Sequence, residues 1–176
     1  MNNDVKQKIA VAFEKLLTAK NFDDITVMNI VETSGISKAT FYRYFKDKYD
    51  ILDYGITRSI DSFFEPYLNG NSLKTVHYDF QEYLFSKKEF FYKSMKTEGP
   101  NSFENSLIHA SVDLFYKIFE LKSVTITQEI SDITELYCTG AVSYLKKWIM
   151  GGFKEQPEYV SKITYESIPM IIRKYL

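Results

Sequence analysis

Four cations, Lys38, Arg43, Lys46 and Lys48, face a single anion, Asp47, in the stretch from Ser37 to Lys48. The whole chain has 22 Lys and Arg against 23 Asp and Glu, a formal charge of −1, so this stretch is a basic patch in a nearly neutral protein. Local positive charge is what a nucleic-acid backbone attracts. It is also what an ordinary solvated helix face carries, so the neighbouring residues decide. Free backbone amides at the start of a helix opening at Ser37, and near Thr26, offer a positive dipole end to phosphate oxygens. Ala39 is small enough to touch a thymine methyl.

Other chemistries find little support. There is no glycine-rich phosphate loop, no nucleophile elbow and no metal-spaced cluster, so no catalytic residue, metal or cofactor is assigned and an enzyme is not expected. Two histidines, His77 and His109, do not make a zinc site. The single cysteine, Cys138, lies in an apolar helical stretch and reads as a buried free thiol.

The elements that must position the basic patch are helices. Apolar residues recur at three and four positions almost throughout, while only 7 Gly and 4 Pro interrupt a chain of 176 residues that is 45% hydrophobic; the fold class is all-α. A first helix opens at Asp4, with Gln7 completing a capping box, and runs to about Asn21. Thr26 caps a short second helix stapled by Ile25 and Ile30, and Ser37 caps a third stapled by Ile36 and Phe41. Between them Gly35 supplies the left-handed turn. On the third helix, at 100° per residue, Phe41 and Phe45 point inward, leaving Ala39, Tyr42, Arg43 and Lys46 on the opposite side. Tyr42 and Tyr44 have helix packing as their alternative role.

A fourth helix runs from Lys48 toward Leu68, with Tyr49, Leu52, Ile56, Ile60 and Phe63 at core spacing, and the domain boundary is placed at its start: 1–48 and 49–176. Further helices are expected near Ser72 to Ser86, Lys87 to Lys96, Asn101 to Lys122, Thr127 to Met150 and Pro157 to Leu176. No run approaches 18 apolar residues, and Met1 to Lys8 is polar, so a cytoplasmic protein without membrane association is expected.

The run Ile25-Thr26-Val27, Ile30, Ser34 to Phe45, then Lys48 and Leu52 resembles the helix-turn-helix signature of the TetR family. The resemblance implies a three-helix DNA-binding head, a helical ligand-binding and dimerisation part, and a homodimer that binds a palindromic operator in double-stranded DNA, most often as a repressor. By that resemblance Thr26, Ser37, Thr40, Tyr42, Tyr44 and Lys48 hold phosphates, and Lys38, Ala39 and Arg43 face base edges. Position 44 is often histidine in the family; tyrosine still offers a hydroxyl, at longer reach. The stretch from Trp148 to Gly152, followed by Gln156-Pro157-Glu158, is similar to the branch containing regulators of dihydroxyacetone kinase operons. It implies that the last two helices pair with their copies, so that Val142, Leu145, Trp148, Ile149, Ile168 and Ile172, with Ile163 and Ile171, are partly intersubunit; the alternative is the monomer's own core.

Tyr78, Tyr83, Phe90, Phe91, Tyr92, Met95, Phe115 and Tyr116 either line an apolar effector cavity or form plain core, with His77 and His109 as its polar handles or simply satisfied or exposed. The effector is a small molecule or, as in some members of the similar branch, a partner protein, which leaves an activator controlled by such a partner as an alternative. The rival without DNA is a helical module whose basic face docks an acidic protein.

Overall fold

The computed structural model describes residues 2–176, with side chains from Asp4 onward; Met1 lies outside the described residues. Among the described residues ten helices follow one another: α1 (Asn2–Ala19), α2 (Val27–Ser34), α3 (Lys38–Tyr44), α4 (Lys48–Leu68), α5 (Leu73–Ser86), α6 (Lys88–Ser94), α7 (Phe103–Leu121), α8 (Gln128–Met150), α9 (Pro157–Glu166) and α10 (Met170–Arg173). The described residues form no strand. No helix among them is long and apolar enough to cross a membrane.

Side-chain caps start most of these helices. Thr26, Ser37, Asp47, Ser72, Ser102 and Thr127 each accept from a free backbone amide in the first turn that follows, the device that makes such residues good helix initiators. Two expected starts and stops differ. The first helix already includes Asn2, so Asp4 lies in its first turn rather than capping it. The expected final helix is two, because Pro169 has no N–H to continue the ladder and the chain turns at Ser167 and Ile168.

Helices α1 to α3 form a small head. Ile9, Phe13 and Leu17 of α1 pack on Ile30 and Val31 of α2 and on Phe41 and Phe45, all buried. The same apolar cluster continues without a break through Ile51, Leu52 and Ile56 of α4 to Leu84, Phe91, Leu107 and Trp148. In the body α4 packs chiefly on α7, α7 on α8, and α5 on α9. Helix α6 is fastened to the head by two lysines: Lys87 Nζ donates to Glu14 Oε1 at 2.7 Å and Lys93 Nζ to the Thr18 carbonyl at 2.8 Å.

Trp148 closes the turn after α8 from inside the chain. Its indole N–H donates to the Glu155 carbonyl at 3.0 Å, and its ring lies 4.8 Å from Phe153 and 6.2 Å from Phe85. Val142, Leu145, Trp148, Ile149, Ile168 and Ile172 are all buried within the single chain, as the alternative of a monomer core has them, while Ile163 and Ile171 are half-buried.

Candidate nucleic-acid interface

The turn that carries the basic patch is built by hydrogen bonds that each follow from residue type. Thr26 Oγ1 accepts from Asn29 N at 3.1 Å, and Asn29 Oδ1 accepts from Thr26 N at 3.1 Å, a reciprocal capping box. Gly35 ends α2 at φ +63°, where a side chain would be strained, and its N–H reaches back to Glu32 and Val31 carbonyls. Ser37 Oγ accepts from Thr40 N at 3.1 Å and lies 2.8 Å from Thr40 Oγ1. Each bond lies within a few residues of sequence, so the geometry is local.

Helix α3 is thereby set on the head with Phe41 fully buried and Phe45 nearly so. Its other side is open: Lys38, Ala39 and Arg43 are exposed, and Tyr42 is 52% exposed with its ring edge on Phe41 at 5.3 Å. A short helix showing one methyl, one phenol and two cations is the shape and charge that enter a major groove. Thr26 and Ser37 are exposed and Thr40 half-buried. Tyr44 is half-buried against the core of the head, so packing occupies much of its ring.

Two expected members of the patch sit elsewhere. Helix α3 ends at Tyr44, because Phe45 adopts an extended backbone (φ −140°, ψ 139°) to reach the core. Lys46 therefore lies in the link to α4 rather than one turn beyond Arg43; it is exposed, and its backbone N–H donates to Asp50 Oδ2 at 2.8 Å. Lys48 turns inward: its ammonium donates to the carbonyls of Phe22 (2.6 Å), Asp23 (3.3 Å) and Ile25 (3.1 Å) and lies 4.3 Å from the Phe22 ring. Burial there pushes its pKa down, against the opposing pull of Asp23, Asp24 and Asp47. The side chain straps α4 to the loop before α2, and a phosphate at this position has to use the backbone N–H or displace those bonds. A further cation, Lys6, lies at the edge of the head, its ammonium 5.3 Å from the Tyr54 ring and 5.8 Å from that of Phe45. No short-range signal marks it.

In the body, a cavity of about 90 Å³ lies among α4, α5, α7, α8 and α9, walled by Ile60, Phe80, Phe115, Val142 and Leu145 with His77, Gln81 and Thr164 as polar members. Of the eight residues expected around an effector, only Phe115 borders it. Tyr83, Phe90 and Phe91 line a separate cleft of about 300 Å³ between the head and α6, Tyr92 carries Lys96 Nζ 4.3 Å from its ring, Met95 is core, Tyr78 is exposed and donates to Glu82 at 2.9 Å, and Tyr116 lies 2.8 Å from Ser131 Oγ. His77 does face the central cavity, whereas His109 is exposed. Among the described residues no group of His, Cys, Asp and Glu could hold a metal ion.

Residues 9–54 match the family model of bacterial regulatory proteins of the tetR family, and residues 71–169 match that of a transcriptional regulator C-terminal region. An HTH-type transcriptional regulator of Staphylococcus aureus (strain USA300) is 36% identical over 66 residues, which is 36% of this chain and 36% of that protein, so the match spans about a third of the relative's length. Two solved structures share the fold over almost the whole chain. The dihydroxyacetone kinase operon activator DhaS superposes with a TM-score of 0.66 at 20% identity, covering 97% of each chain. FadR of Thermus thermophilus, a TetR-family repressor in complex with lauroyl-CoA, gives 0.65 at 12% identity over 93% of this chain and 92% of its own. With a matching head, a matching body and an exposed, capped recognition helix, the chain belongs to the TetR family of transcriptional regulators and carries that family's DNA-binding helix-turn-helix.

Proposed function

We propose that the protein binds a palindromic operator as a homodimer and that residues 49–176 control the affinity of the head, residues 1–48, for DNA. The observation that carries this reading is the outward face of α3, where Lys38, Ala39, Tyr42 and Arg43 are all exposed while Phe41 behind them is sealed. One such helix reads only a few base pairs, and two copies related by a two-fold axis read a palindrome with half-sites about one helical turn, roughly 34 Å, or more apart. Thr26, Ser37, Thr40, Tyr42 and the backbone at Lys48 fix the register on phosphates; Lys38, Ala39 and Arg43 read bases. Selection of bound duplexes from a random pool is expected to return a palindrome. Arg43→Ala should then change the selected sequence, at about 1–3 kcal/mol per lost base contact, whereas Tyr42→Phe should weaken all duplexes by a similar factor. An unchanged selection with Arg43→Ala removes that residue from base reading.

The dimer face shifts from the buried residues to the exposed ones. Large apolar side chains left in solvent on the last three helices are Leu136 (75% exposed), Met150, Tyr159 and Met170 (77%). Gly140 and Ser143, four and seven residues beyond Leu136, continue its stripe with small residues that let a second helix approach closely. Sedimentation at micromolar concentration should give twice the 20.6 kDa chain mass, and Leu136→Arg should shift the protein to monomer without unfolding it. A wild-type monomer contradicts this interface.

Repression is the outcome this reading favours, since a head that releases DNA when the body is engaged needs no further contact. Activation has a specific supporting observation in the structural likeness to an operon activator, and a reporter with the selected operator upstream of, or across, a promoter distinguishes the two.

A further inference from the structure

We propose that the central cavity binds a small uncharged molecule with an apolar body and one hydrogen-bond donor, which the side-chain carbonyl of Gln81 receives. The inference rests on residues 49–176 being the regulatory part and names the class of signal that part takes.

Three features of the cavity select this chemistry. First, no Asp, Glu, Lys or Arg lines it. A charged guest would surrender its hydration without meeting an opposite charge, which is costly in an apolar wall. The titratable groups on the wall are themselves neutral near pH 7: burial holds His77 down at about 4 and Cys138 up at about 12, and raises Tyr137 as well.

Second, one acceptor is unused. Gln81 is 1% exposed, and its Oε1 has no hydrogen-bond partner. Such a group is expensive to bury and rare in folded proteins. The neighbouring hydroxyls are already committed to backbone: Ser111 Oγ donates to Leu107 O at 2.7 Å, Thr164 Oγ1 to Val160 O at 2.9 Å, and Tyr137 OH to Thr164 O at 2.8 Å. None of those three hydroxyl protons goes to Gln81, and an organic guest satisfies Gln81 with its donor and the apolar wall with its carbon.

Third, size is limited. An apolar cavity of about 150 Å³ holds benzene; at about 90 Å³ this one takes a molecule of about five heavy atoms without widening. Ile60 and Phe63 place α4 in the wall, and the same helix begins at Lys48, strapped to the head. A guest that displaces α4 therefore acts on the head through a continuous element.

The test uses four soluble probes of similar size on the full chain: 2-butanol, which donates; 2-butanone, which only accepts; propionate, an anion; and butylammonium, a cation. Ligand-observed NMR and thermal shift should show 2-butanol binding at millimolar concentration, roughly five- to tenfold tighter than 2-butanone, the difference one hydrogen bond makes. The two ions should not bind. Gln81→Met should abolish the preference for the alcohol and raise the melting temperature of the ligand-free protein, since it removes the unpaired acceptor. Equal binding of alcohol and ketone by the wild type overturns the proposal, and so does binding of the ions as tight as that of the alcohol. So does an absence of binding by a folded protein that still binds its selected duplex. That last outcome leaves the DNA reading standing, whereas failure to select any duplex removes the DNA reading without bearing on the probes.

Discussion

Phe41→Ala is expected to abolish operator binding and to destabilise the protein by about 3–5 kcal/mol, the range for truncating a buried aromatic residue. Phe41 is fully buried, with its ring 6.2 Å from that of Phe45 and 5.3 Å from that of Tyr42. Helix α3 has only 7 residues, too few to persist in water by their own hydrogen bonds, so its orientation depends on this side chain. The matched control is Tyr42→Ala on the outer side, which should change stability by only about 0.5 kcal/mol while weakening DNA binding. Urea denaturation and fluorescence anisotropy on a selected duplex measure the two quantities separately. A Phe41→Ala protein that binds DNA as the wild type does would show that the helix is held by something else.

The second large effect is one of pH. Burial against the cavity wall holds the His77 imidazole at about 4, below its ordinary 6.5, with Thr164 Oγ1 at 3.5 Å and the Tyr165 ring, centroid to centroid 6.1 Å away, as its neighbours. A base whose folded pKa is lowered takes up its proton more readily when unfolded. Stability therefore rises with pH between about 4 and 6.5, is complete above that window, and is lost as the solution is acidified through it. The loss attributable to His77 by pH 4 is roughly 3 kcal/mol. Carboxylates titrate in the same range, so the informative quantity is the difference between wild type and His77→Leu, measured by urea denaturation at pH 7 and pH 4.5. The variant should lose markedly less stability on acidification. Parallel losses in the two proteins would mean that the imidazole is hydrated and ordinary.

The head is legible in the sequence because its determinants are short-range. Thr26, Gly35 and Ser37 each act on partners within a few residues, and Phe41 and Phe45 announce the buried side of α3 by their spacing. Where a backbone choice is set by tertiary packing, the reading slips. Phe45 leaves the helix to reach the core, which carries Lys46 off the face that a continuous helix would give it. Lys48 finds carbonyls 23 to 26 residues away, a pairing no local pattern encodes. In the body, periodicity reveals that a face is apolar but not what covers it. Val142 and Ile149 are covered by their own chain, while Leu136, on another side of the same helix, stays in solvent. The cavity is harder still, since its wall draws on five helices and its polar members, Gln81 and Thr164, carry no signature of their own.

The most direct test of the claim that α3 reads DNA is a dimethyl sulfate footprint of the protein on its selected duplex, because guanine N7 lies in the major groove. Protection of two major-groove segments, related by the dyad of the palindrome and on one side of the duplex, with loss of both in Arg43→Ala, is the predicted result. A bound complex whose guanines all remain reactive would contradict it.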